Sequence, residues 1–282
     1  MTWKRLCRIS RPRFWFYLLG PFLVGCAAAG LFVPGIERSF IQLFLLLLTG
    51  LFFLFPANLF LYGVNDLFDY ETDRHNPKKQ GYEDLIRPPE RPMFLRSLSF
   101  ALIPVAVIFL LASPLVSALI ALFLLLAYGY SAPPVRAKGR PFLDTVFNGL
   151  YLLPGLASYA ILTHRVPPSM LVIAGLCWCM AMHAYSAIPD QDADRTAKVE
   201  TIATVLGTKR TALWCVVFFT LASLLSWSVL KSFSILLLIP YLALCMVSAM
   251  AQKPTDVQRW YQEFPRVNLM VGFVLFLIAT FR

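Results

Sequence analysis

Long uninterrupted apolar runs dominate this chain, and short polar loops separate them. About 20 apolar residues in a row cross the hydrocarbon of a bilayer as one helix. Nine such runs are predicted, at about 14–33, 41–64, 97–112, 114–130, 144–162, 168–188, 211–230, 232–251 and 266–281. The third and fourth are short and meet at Ser113-Pro114, so they also read as one long helix broken there. The longest polar stretch, 66–96, is only about thirty residues, too few for a separate soluble domain. The pattern predicts an all-α polytopic membrane protein with one domain over 1–282.

Composition excludes a soluble globule: 59% of residues are hydrophobic and 14% charged, with a mean hydropathy of +0.68. Under the nine-run topology, 21 of the 25 basic residues fall on one side. Only Arg38, Arg165, Lys231 and Arg282 fall on the other. The positive-inside rule makes the basic side cytoplasmic. The net charge of +10 is therefore explained by topology and does not point to nucleic acid. Six cysteines lie in or beside apolar runs, and Cys177-Trp178-Cys179 lacks zinc-ligand spacing, so buried free thiols are expected. Leu23-Val24-Gly25-Cys26 has the form of a lipoprotein cleavage box after a basic leader. The first run is nevertheless long enough to stay in the membrane and is read as a helix.

The acids are the anomaly. Asn65-Asp66-Leu67-Phe68-Asp69-Tyr70-Glu71-Thr72-Asp73 follows the second run, and Asp190-Gln191-Asp192-Ala193-Asp194 follows the sixth. Carboxylates beside a bilayer are costly and need partners. The offset of four helices, and the related strings Asp-Tyr-Glu-Thr-Asp-Arg and Asp-Gln-Asp-Ala-Asp-Arg, predict two repeat halves, roughly 1–140 and 141–282. Such repeats place binding sites at their interface.

If the second helix continues past Val64, then Asn65, Asp69 and Asp73 share one stripe at a spacing of four residues, as do Asp190 and Asp194. Hard oxygen donors in this pattern suit Mg²⁺, which takes one or two carboxylates and completes its shell with substrate phosphates. No His or Cys joins either stripe, which argues against zinc. The same face carries Lys78, Arg87, Arg91, Arg136 and Lys138, the last four in Pro-rich turns. A diphosphate bridged by Mg²⁺ and clamped by these cations fits the set. Asp66 and Glu71 point off the stripe as supporting groups, and Asp192 can contribute from an adjacent face. Lys198 stands where a third acid of the second stripe would fall. Asp144 reads as the cap of its own helix, and His183 as a satisfied membrane histidine.

At these residues the chain resembles the UbiA superfamily of intramembrane prenyltransferases. Asn65-Asp66-x-x-Asp69-x-x-x-Asp73 is similar to its first signature, Asp190-x-x-x-Asp194 to its second, and Tyr130-Ser131-x-Pro133-Pro134-x-Arg136-x-Lys138 to the loop after its fourth helix. The resemblance implies a UbiA-like bundle of about nine helices and Mg²⁺-dependent transfer of a prenyl group from an allylic diphosphate to a lipophilic acceptor. It makes Asn65, Asp69, Asp73, Asp190 and Asp194 the Mg²⁺ ligands. It has Arg87, Arg91 and Lys138, with Tyr130, steady the leaving group. The stretch from Ser186 to Gly207 resembles the branch that prenylates carotenoids such as lycopene. Aromatic or quinone-precursor acceptors (4-hydroxybenzoate, naphthoate or chlorophyllide type) stay open. From a different class, a divalent-cation transporter would also carry membrane carboxylates, but near the midplane rather than at helix ends.

Overall fold

The computed structural model describes residues 1–73, 84–251 and 254–281, without the side chains of 71–73, 254 and 255. Its residues are 83% helical, and the described residues include no strand, as expected for an all-α membrane protein. In chain order the helices are α1 (Trp3–Ile9), α2 (Phe16–Ala28), α3 (Phe40–Leu54), α4 (Pro56–Asp73), α5 (Arg91–Ala101), α6 (Ile103–Leu111), α7 (Pro114–Ser131) and α8 (Leu143–Phe147). They continue with α9 (Leu153–Thr163), α10 (Ser169–Ala187), α11 (Gln191–Thr196), α12 (Ile202–Leu230), α13 (Ser232–Met250), α14 (Pro254–Tyr261) and α15 (Phe264–Phe281).

Among the described residues, eight segments are long and apolar enough to span a membrane, from Phe40–Tyr70 through Asp256–Phe281. The first predicted run, 14–33, falls short. It is helical as α2 over only 13 residues, about 20 Å at 1.5 Å per residue. The Pro12–Phe14 turn before it and Gly30, in the left-handed region at φ +74°, after it bound the helix. The third and fourth runs are separate helices. Ser113 begins α7 by accepting a hydrogen bond from the amide of Val116, with Pro114 in the first helical position, where its missing N–H costs nothing.

The predicted second run divides at Phe55 (φ −124°, ψ −61°). Pro56 has no N–H and cannot continue the ladder of α3. Asn58 compensates: its Nδ2 donates to the carbonyls of Phe53 (2.9 Å) and Leu54 (3.0 Å). After this break α4 runs unbroken to Asp73, as the stripe of Asn65, Asp69 and Asp73 requires.

The chain packs as two compact units, one of Met1–Val135, Leu153–Val166 and Leu275–Arg282, the other of Arg136–Leu152 and Pro167–Val274. In the first, α2 lies against α9 in close approach. Ser158 Oγ donates to the carbonyl of Phe22 at 2.7 Å. A Cβ on Gly25 would stand 2.2 Å from the Gly155 carbonyl oxygen and 2.3 Å from Ser158 Oγ. Small residues allow membrane helices to approach this closely. Gly25→Ala is therefore expected to force α2 and α9 apart, at a cost of about 1–3 kcal/mol. A thermal melt in detergent micelles measures it, and an unchanged melting point would show that the contact is not tight. Nearby, the rings of Phe53 and Phe123 meet edge-on at 5.3 Å, and both are fully buried.

In the second unit α12 packs between α10 and α13. Its N-terminus is capped by Thr201, and it is broken at Gly207, whose φ of +75° and ψ of 166° only glycine adopts readily. Tyr185 shares a hydrogen bond with Ser248 at 2.9 Å, and the rings of Phe219 and Tyr241 stack at 4.3 Å. These aromatic side chains pack helix against helix. All six cysteines are free thiols, five of them buried and Cys7 partly so.

Candidate active site

The first acidic stripe sits on α4 as anticipated. Asp69 is buried at 1% exposure. Asn65 Nδ2 donates to Asp69 Oδ2 at 2.8 Å and to Ser131 Oγ at 3.3 Å. The second bond ties α4 to the last residue of α7, next to the half-buried Tyr130. Ser131 belongs to the Tyr-Ser-x-Pro-Pro string, but the sequence assigns it no role. With its Nδ2 committed to these acceptors, Asn65 has Oδ1 as the amide atom that could hold a cation. Asp73 ends the helix; its side chain lies outside the described residues, as does all of Lys78.

Asp66 is no generic supporting group. At 1% exposure its Oδ1 accepts a 2.8 Å hydrogen bond from Arg11 Nη2, and the Arg11 guanidinium lies over the Tyr62 ring, 4.7 Å from its centroid. Arg11 reaches there from a left-handed backbone at φ +51°. Periodicity could not announce this contact, because it joins residues 55 positions apart across a turn.

Arg87 and Arg91 flank the turn Pro88–Glu90 that leads into α5. Arg87 is exposed and Arg91 half-buried. The Nε of Arg91 is buried with no acceptor among the described residues. A buried guanidinium donor calls for an anionic partner, which is what a diphosphate would supply. The turn is held from α1: Arg5 pairs with both oxygens of Glu90, contacts Asp84 Oδ1 at 3.2 Å and donates to the Leu85 carbonyl at 3.3 Å. Glu90 Oε2 also accepts from the Arg87 amide at 2.9 Å. The hydrogen bonds to Glu90 push the Arg5 guanidinium above its ordinary pKa, so it stays charged at any working pH. Beneath it, Ile86 packs in a buried cluster with Ile9, Leu59, Phe94 and Leu98. Arg5→Met is expected to loosen the turn and weaken use of the anionic donor roughly tenfold, mainly in KM. Initial rates against donor concentration check this, and an unchanged KM would remove Arg5 from the positioning role.

In the second unit the geometry departs from one continuous helix. Pro189 interrupts it, so α10 ends at Ala187, a tight turn covers Ile188–Asp190, and α11 restarts at Gln191. Asp190 and Asp194 are half-buried, and Thr201 Oγ1 lies 3.5 Å from Asp194 Oδ2. Asp192 is turned outward, 79% exposed, with Arg195 at 3.6 Å, and does not join the stripe. Gln191, which the sequence pattern does not single out, is buried and donates to Thr208 Oγ1 at 3.1 Å. Lys198, left-handed at φ +55°, follows the end of α11. Arg136, left-handed at φ +42°, precedes the turn Ala137–Gly139 that holds the half-buried Lys138.

Asp144, the second residue of α8 and not its N-cap, serves the first turns of two helices. It is fully buried; Oδ1 accepts from its neighbour Thr145 (2.9 Å), and Oδ2 accepts from the amide of Ile202 (2.9 Å), the first residue of α12. His183 Nε2 stands 3.7 Å from the same Oδ2.

Among the described residues no three His, Cys, Asp or Glu side chains gather as a closed metal cage. The donors that are gathered, an amide oxygen and a buried carboxylate one turn apart, fit Mg²⁺, which binds few protein oxygens and keeps positions for phosphate and water.

The chain belongs to the UbiA prenyltransferase family, whose pattern matches residues 18–276, and it is an integral-membrane prenyltransferase. A Haloferax volcanii protein named lycopene elongase/hydratase is 41% identical over 280 residues, covering 98% of this chain and 89% of its own. A Haloarcula japonica protein of the same name is 40% identical, covering 97% and 90%. Among solved structures, a UbiA homolog from Archaeoglobus fulgidus bound to GPP and Mg²⁺ superposes with a TM-score of 0.66 at 18% identity, covering 96% of this chain and 99% of its own. The apo UbiA homolog from Aeropyrum pernix K1 superposes at 0.68 and 15% identity, covering 94% and 98%. At these identities the structures establish the fold.

Proposed function

We propose that this enzyme transfers a prenyl group from an allylic diphosphate to the end of a carotenoid of the lycopene type, and that water closes the reaction. The observation that carries this reading is the likeness, along nearly the whole chain, to relatives named lycopene elongase/hydratase.

In this reading Asn65, Asp69 and Asp73 of the first acidic string, and Asp190 and Asp194 of the second, would hold Mg²⁺. When bound, Mg²⁺ neutralises the charge that grows on the departing diphosphate. Arg87, Arg91, Arg136 and Lys138, with Lys78, bind the diphosphate as fixed cations. Tyr130 steadies the leaving group by a hydrogen bond from its hydroxyl to a leaving-group oxygen. Donors fixed before reaction need no reorganisation as the allylic C–O bond breaks. Ser131 keeps Asn65 turned toward the site. The apolar helices shelter the allylic cation until the acceptor's double bond attacks it. The basic side of the membrane is the cytoplasm, so the acidic helix ends open there.

The test uses purified protein in lipid vesicles with Mg²⁺ and labelled dimethylallyl or geranylgeranyl diphosphate. Lycopene and an aromatic acid are offered in separate arms, and Asp190→Ala runs beside the wild type. The expected result is transfer that depends on lycopene and is lost in Asp190→Ala. Transfer to the aromatic acid alone would replace the carotenoid reading, and cation flux without diphosphate release would replace the enzyme by a transporter.

A further inference from the structure

Asp194 rides on α11, a helix of only six residues. So short a helix cannot hold a carboxylate in place by itself. Its far end is closed by backbone: the Val199 amide donates to the Asp194 carbonyl at 2.9 Å, and the Lys198 amide to the Arg195 carbonyl at 3.1 Å. With Lys198 left-handed at φ +55°, these two bonds make a Schellman turn. Lys198 is therefore the residue that closes α11.

The turn delivers the chain to Thr201, which caps α12 and donates from Oγ1 to Asp194 Oδ2 at 3.5 Å. One segment thus grips Asp194 twice, by its carbonyl through Val199 and by its carboxylate through Thr201. Gly207, at φ +75° and ψ 166°, breaks α12 just beyond this segment. Hydrogen bonds along the long part of α12 therefore do not by themselves fix the direction of residues 202–206. At the other end of the string, Gln191 is tied to Thr208, past the break, at 3.1 Å.

The anchor of the first turn is Asp144. Its Oδ2 accepts from the Ile202 amide at 2.9 Å, and its Oδ1 is fastened to the Thr145 amide at 2.9 Å. The carboxylate is fully buried, where a charge is costly unless it is hydrogen-bonded. Thr201 already caps α12 with its own side chain, so the buried acid adds direction to the helix start.

We propose that Asp144 is a positioning residue for the second acidic string: by fixing the start of α12 it sets where Asp194 stands. This rests on the reading above, in which Asp194 would hold Mg²⁺ against the diphosphate. Both Asp144 oxygens are engaged by backbone amides, so its part is to hold the segment and not to bind the ion. Outer groups that orient a metal ligand change metal affinity by about 10–100-fold.

The test titrates purified protein in lipid vesicles with Mn²⁺, which takes oxygen ligands as Mg²⁺ does, in the presence of inorganic pyrophosphate. Protein-bound Mn²⁺ is read by electron paramagnetic resonance, with helix content by circular dichroism beside it. Asp194→Ala is expected to weaken binding. Asp144→Asn and Thr201→Val should each weaken it about tenfold, while Thr201→Ser stays near the wild type. In Asp144→Asn/Asp194→Ala the loss should be no larger than in Asp194→Ala alone, because the residue being held is already gone.

Wild-type binding in a folded Asp144→Asn overturns the inference. So does a double variant in which the two losses add, which would make Asp144 a general support of the fold. If Asp144→Asn loses its helix content, the Thr201 pair decides, and equal binding in the Val and Ser variants overturns the inference. An Asp194→Ala protein that binds Mn²⁺ like the wild type removes the metal-ligand reading, and the inference with it. Weak binding in Asp194→Ala beside full binding in Asp144→Asn removes the inference alone.

Discussion

Asp69→Asn is expected to lower acceptor-dependent transfer by about 10²–10³-fold or more, with the protein still folded. The substitution keeps the side chain's size and can still accept from Asn65, now 2.8 Å from Asp69 Oδ2. What it removes is a full negative charge at a site 1% exposed, where no water can take over the work of a ligand. An amide oxygen can still touch a cation, as proposed for Asn65, but it lacks the charge that holds the cation against a diphosphate. Steady-state turnover in vesicles, with helix content by circular dichroism as the folding control, separates the two effects. A variant within about threefold of wild type would falsify the acid-stripe assignment. The contrast with Asp192→Asn is informative. That carboxylate is 79% exposed and paired with Arg195, so its loss should leave turnover almost unchanged.

The largest effect on stability is expected at Arg11. Arg11→Ala removes the guanidinium that stands 2.8 Å from Asp66 Oδ1, where the side chains are 10% and 2% exposed. The carboxylate then loses, in a low-dielectric place, the guanidinium hydrogen-bonded to it. Breaking a buried pair from one side costs about 3–5 kcal/mol, while replacing both partners costs far less. The double variant Arg11→Ala/Asp66→Asn should therefore recover much of what the single variant loses. Thermal unfolding in detergent across the four proteins of this cycle measures the coupling. Equal losses in the single and double variants would show that Arg11 acts through its stacking on Tyr62 and not through the ion pair. Because Asp66 neighbours Asn65 in sequence, the same contact fixes the rotation of α4 and hence the direction of the stripe.

Much of the architecture was legible because membrane insertion imposes a simple rule. Each crossing needs an apolar run of minimum length, and that length can be read without knowing what packs where. The acid stripe on α4 was legible for a similar reason: an intact helix fixes a spacing of four residues to one face. Where the reading failed, a local break was the cause. α2 is shorter than its apolar run because turns close both ends. Pro189 ends α10 ahead of Asp190 and Asp194, which both follow the break, and Asp192 turns to solvent.

Hydropathy, charge asymmetry and the two acidic strings by themselves determined that this chain is a helical membrane protein with oxygen donors at helix ends. They also determined the family it resembles. These are properties of short segments, and short segments are set by local chemistry. Only the tertiary structure decided who holds the donors in place: Arg5 on Glu90, Arg11 on Asp66, Asn65 on Ser131, and Asp144 on Ile202 beside His183. Apart from Asp144 with His183, which are 39 positions apart, each of these contacts joins positions at least 55 apart in the chain. Their partners are chosen by how helices pack and rotate, and no pattern of apolar and polar positions along a single helix encodes that choice.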